Sequence, residues 1–81
     1  MGGTGLYVDF TPRQVREAKK HFAGIVRDGS MASYERFMEL FTQSEQKALF
    51  RQQIIKLPKR PSENYVRLAG EVAEKIFNKM V

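Results

Sequence analysis

The side chains that could do chemistry are few in this chain. His21 is the single histidine and cysteine is absent, so there is neither a thiolate nor a histidine pair for a transition metal. As a catalytic base His21 would need a nucleophile and an orienting carboxylate beside it. The hydroxyls of Ser30, Ser33, Ser44 and Ser62 each stand where a helix cap is wanted, which accounts for them without catalysis. Gly2, Gly3 and Gly5 are followed by no lysine and no strand-to-helix turn, so they make no phosphate-binding loop. The expectation is a protein that is not an enzyme, with no catalytic residue, metal ligand or cofactor.

Charge offers more. Fourteen Lys and Arg stand against nine Asp and Glu, a net +5. The surplus is local: Lys47, Arg51, Lys56, Lys59 and Arg60 fall between Gln46 and Pro61 with no acid among them. Gln46, Gln52 and Gln53 are interleaved, and arginine with glutamine can read base edges as well as phosphates. Arg13, Arg16, Lys20 and Arg27 form a second row at helical spacing, diluted by Glu17 and Asp28. A localised basic patch favours an anionic partner. The candidates are an acidic protein, a nucleic-acid backbone, or a solvated surface that serves solubility alone, and no helix-turn-helix glycine or other DNA-binding signature accompanies the patch.

Apolar residues supply a second candidate surface. Tyr34, Met38, Phe41, Phe50 and Ile54 could line a groove that accepts a partner helix, since methionine and aromatic surfaces adapt to varied ligands. Core packing competes for the same residues. The leading reading is a basic helical protein-protein interaction module, of adaptor or regulatory kind, with an apolar groove and a basic rim. The alternative is a nucleic-acid-binding domain using residues 47–60. Homo-oligomerisation through spare apolar surface is a third.

These residues must be positioned by helices. Ser62 to Val81 repeats Tyr65, Val66, Ala69, Val72, Ala73, Ile76, Phe77 and Met80 at three- and four-residue steps, one face of an amphipathic helix that the rest of the chain should cover. Glu63 with Arg67 and Glu71 with Lys75 are spaced for surface ion pairs. Upstream, Thr11, Pro12 and Gln14 announce a helix start, with Phe10 and Val15 as its staple, and Gly29 its stop. Val15, Ala18, Phe22, Ile25 and Val26 face inward, and Gly24 would permit a close crossing. A second helix runs from Ser30 or Ser33 to about Phe41. Thr42 and Glu45 form another capping box, opening a third helix over Gln43 to about Lys56. There Phe50, Ile54 and Leu57 share one face, Ala48 and Ile55 another, and Leu49 neither.

The chain has 81 residues, 42% of them hydrophobic, room for one small core. The expected class is all-α: a small four-helix bundle, orthogonal or up-down, with short connections. Residues 11–81 form the single domain, and residues 1–10 a flexible or extended lead. No apolar run approaches the ~18 residues that span a bilayer, and the start lacks signal-peptide character. The expected setting is intracellular, cytoplasm or nucleus, away from membranes.

Overall fold

The computed structural model describes residues 7–80, Met80 as backbone only; the Met1–Gly5 start and Leu6 lie outside the described residues. The protein is an all-helical bundle of α1 (Pro12–Asp28), α2 (Met31–Leu40), α3 (Gln43–Arg51) and α4 (Glu63–Met80), with no strand among the described residues. Its helix starts are set locally. Thr11 and Gln14 close a reciprocal capping box on α1, and Thr42 and Glu45 close one on α3. The Ser30 hydroxyl caps α2 by accepting from Ser33 N–H at 3.2 Å.

Only two residues separate α1 from α2 and α2 from α3. The first turn depends on Gly29, whose φ of 61° lies in the left-handed region. Before it, Gly24 lets the helices cross closely: a Cβ there would overlap the Ser33 hydroxyl and come within 2.9 Å of the Ser33 Cβ. Both α2 and α4 pack on α1. The α1–α4 junction is polar and specific. Ser62 Oγ accepts from Tyr65 N–H at 3.1 Å and donates to the Val26 carbonyl at 2.8 Å. One hydroxyl thereby caps α4 and ties it to α1. Asn64 Nδ2 donates to the Arg27 carbonyl at 3.3 Å.

The third helix is shorter than its sequence suggests. It stops at Arg51 rather than near Lys56, because Gln53 adopts a left-handed φ of 62°. Ile54 N–H then reaches the Leu49 carbonyl at 2.9 Å and Gln53 N–H the Phe50 carbonyl at 3.0 Å, a Schellman stop without glycine. Residues 52–57 are therefore off the helix, and a wheel drawn through them is out of phase. Leu49, assigned to neither face, is fully buried, and so is Ala48.

The core is compact: Ala18, Phe22, Ile25, Phe37, Phe41, Leu49, Ile55 and Leu68. A run of five phenylalanine rings threads it, Phe10–Phe41–Phe37–Phe22–Phe50, with centroids 5.3–6.2 Å apart. Edge-on and tilted rings at these distances add to the energy of burial alone. The described lead is held to the bundle as Gln52 grips Val8 from both sides. Its Oε1 accepts from Val8 N–H at 2.8 Å and its Nε2 donates to the Val8 carbonyl at 3.0 Å.

One expectation fails on α4. The bundle covers Leu68 and half-buries Tyr65 and Val72, while Val66, Ala69, Ala73, Ile76 and Phe77 remain exposed. The apolar arc is wider than the part of α1 available to meet it. Nor do the Glu63–Arg67 and Glu71–Lys75 pairs close, whereas Arg36 and Glu39 do pair, at 3.2 Å.

Candidate functional site

An open apolar groove of about 420 Å³ lies between α2, α3 and α4. Its floor is core: Phe22, Ile25, Phe37 and Leu68, all buried. Its walls are Tyr34 and Met38 from α2, Phe50 from α3, and Tyr65, Ala69, Val72, Ala73 and Ile76 from α4. Leu57 closes one end from the connection between α3 and α4. The rim is wet but apolar, with Leu57 58%, Ile76 53%, Met38 42% and Phe50 38% exposed. Gln46 is the single amide in the lining, and its Nε2 is committed to the Phe41 carbonyl at 2.9 Å, with the Met38 sulfur at 3.4 Å. The lining therefore offers mostly shape and apolar surface, with Gln46 and the tyrosines Tyr34 and Tyr65 as its residues that carry polar groups.

Local sequence explains this opening. The early end of α3 at Gln53 throws Leu57 outward instead of continuing the helical face. The small side chains of Ala69 and Ala73 leave the α4 wall recessed between Tyr65 and Ile76. The structure brings Tyr34, Met38 and Phe50 together in the lining of the groove. It puts Phe41 elsewhere, 2% exposed within the phenylalanine run. Ile54 packs against the core from the Schellman turn and does not line the groove. The wall from α4 escaped the sequence reading, since its residues were assigned to contacts within the bundle. The surplus width of the α4 apolar arc was the signal that could have found it.

Each cation of the basic stretch is exposed: Lys47 and Arg51 on α3, and Lys56, Lys59 and Arg60 on the connection to α4. Lys47 follows the groove residue Gln46, and Lys56 precedes Leu57, so the chain places positive charge beside two lining positions. Arg13, Arg16 and Lys20 are also exposed, on the outer side of α1. No carboxylate lies within ion-pairing distance of Lys47, Lys56, Lys59 or Arg60 among the described residues. Acidic residues line an adjoining depression that shares Tyr34, Met38, Val72 and Ile76 with the groove, where Glu35 and Glu39 of α2 accompany Lys75 and Lys79 of α4.

The remaining candidates for chemistry are His21 and the serines. His21 Nε2 lies 3.8 Å from Glu17 Oε2, one turn away on α1, and no hydrogen bond joins His21 to a serine. Ser30 and Ser62 are caps, and Ser33 fills the α1–α2 crossing. Among the described residues no three of His, Asp and Glu converge to hold a metal ion. No helix of the described residues is long and apolar enough to cross a membrane. Set beside protein families, curated proteins and solved structures, the chain matches none of them, so its function has to be read from the groove and its charged surroundings.

Proposed function

We propose that this protein is a small helical protein-protein interaction domain, regulatory or adaptor in kind, whose groove accepts one amphipathic helix of an acidic partner. The observation that carries this reading is the groove itself. Its fourteen lining residues are apolar or aromatic except Gln46, and its rim keeps large side chains in water. Exposed apolar surface of this kind marks a docking site more often than it marks an unused surface. A helix presenting residues at i, i+3 or i+4, and i+7 would fill such a cleft. Charge specifies the partner further, because exposed cations flank the groove in the chain and the net charge is +5. Their contribution is to encounter rate and orientation more than to affinity.

The test is fluorescence polarisation with a labelled synthetic helix bearing leucines at those spacings and flanking glutamates, beside a control with lysines for glutamates. The glutamate helix should bind at least tenfold tighter, and Ala69→Trp, which fills the groove, should abolish binding. Equal binding of the two peptides, or indifference to Ala69→Trp, would refute the proposal.

A second reading is supported by the exposure of Lys47, Lys56, Lys59 and Arg60, none of which is ion-paired among the described residues: nucleic-acid binding through the 47–60 segment. Filter binding of a short DNA duplex and a single-stranded RNA at low salt tests it. Retention should fall steeply with salt and vanish in Lys59→Glu/Arg60→Glu. No retention of either nucleic acid would end it.

A further inference from the structure

The outer face of α4 has its own pattern, which borders the groove and shares Ala73 with its wall. Val66, Gly70, Ala73 and Phe77 follow one another at steps of four, three and four residues, the spacing of a coiled-coil seam. All four are exposed, Val66 at 57% and Phe77 at 66%. Phe77 is the one phenylalanine of six outside the core run. Gly70 sits mid-helix, where glycine weakens a helix relative to alanine. Nothing among the described residues explains that choice, since an added Cβ would meet none of their atoms within 4 Å.

We infer that this face pairs with the same face of a second copy, in an antiparallel two-fold α4–α4 contact. A two-fold axis midway between Gly70 and Ala73 sets each Gly70 against the other copy's Ala73, and each Val66 against the other copy's Phe77. The small central layers let the helix backbones approach, and the large outer layers fill the ends. Charge selects this orientation. Arg67 and Glu74 flank the seam on one edge, seven residues apart, and neither forms an ion pair within its own chain among the described residues. Antiparallel pairing brings Arg67 of each copy to Glu74 of the other, twice by symmetry. In a parallel pair the two stay about 10 Å apart along the axis and do not meet.

The Ala69 and Ile76 edge adds apolar contact, for on the order of 400–500 Å² per copy. That total lies below a standard interface, so association should be weak, roughly 10–100 μM. Because Ala69, Ala73 and Ile76 also line the groove, pairing and helix docking share that edge of α4.

Sedimentation equilibrium of the 81-residue protein between about 5 μM and 1 mM tests it. The mass should rise from 9.4 kDa toward twice that value. Gly70→Gln should weaken association at least tenfold while raising the melting temperature of the dilute monomer, because the site is open and the helix improves. Arg67→Glu and Glu74→Arg should each weaken association about tenfold, and the double variant should return to within threefold of the original. Three results would overturn the inference: a monomer at every concentration, leaving this face to the helix of another protein; a dimer indifferent to Gly70→Gln; or a double variant no better than the singles. None of them would disturb peptide binding in the groove.

Discussion

Replacing Gly29 by alanine should unseat the helix that forms one wall of the groove. Two costs arise at this residue. Its φ of 61° places any L side chain in a region costing roughly 1–2 kcal/mol. The new Cβ would also overlap the Asn64 carbonyl oxygen and approach its carbon to 2.7 Å. That neighbour is backbone in the first turn of α4, so trimming the Asn64 side chain gives no relief. Overpacking against such an obstacle costs typically about 1–3 kcal/mol. The combined loss, about 2–5 kcal/mol, is a large part of the roughly 4–12 kcal/mol expected for a domain of this length. At ~4–8 °C per kcal/mol, the melting temperature should fall by at least about 10 °C. Thermal unfolding followed by circular dichroism measures it. Gly29→Asn separates the two terms, because asparagine tolerates the left-handed region and retains only the overlap. A loss under about 0.5 kcal/mol for the alanine variant would mean that α4 is not seated on this turn.

Gln53→Gly should act in the opposite direction. It relieves a left-handed glutamine at a helix stop, gaining about 0.5–1 kcal/mol net of glycine's extra chain entropy, and urea titration would read the gain. Ser62→Ala removes both the α4 cap and the tie to Val26. It should cost about 1–2 kcal/mol in the same titration, with faster amide exchange at Tyr65. Gln52→Leu should free the lead at residues 7–10, so that the Val8 amide loses hydrogen-exchange protection while the α1 amides keep theirs. Thr42→Ala breaks one capping box and should cost about 1 kcal/mol, measurable by denaturant unfolding.

How far the sequence reached depends on whether a feature is local. The Thr11–Gln14 and Thr42–Glu45 capping boxes, the Gly29 stop and the close crossing at Gly24 are each decided within a few residues, and each is legible. The end of α3 is not, because a left-handed glutamine carries none of the compositional mark a glycine would. That miss propagated: extending the helix to Lys56 put Phe50, Ile54 and Leu57 on a shared face, whereas Ile54 packs inward and Leu57 projects into the groove mouth. On α4 the apolar arc was visible, but Leu68, its most buried member, was passed over. Which part of an arc is covered depends on the neighbour's width, a tertiary property. The surface ion pairs failed for a related reason. Their small energy does not hold two long side chains together in water.

The central claim is that an apolar cleft between α2, α3 and α4 stays open in the folded chain to receive a helix. Methyl-detected NMR titration with the glutamate-bearing amphipathic peptide tests it most directly. The account predicts saturable shifts at Met38, Leu57, Val72 and Ile76, the methyl groups lining the cleft, with Val15 on α1 unmoved. Absent shifts, or shifts confined to the amides of residues 47–60, would contradict it.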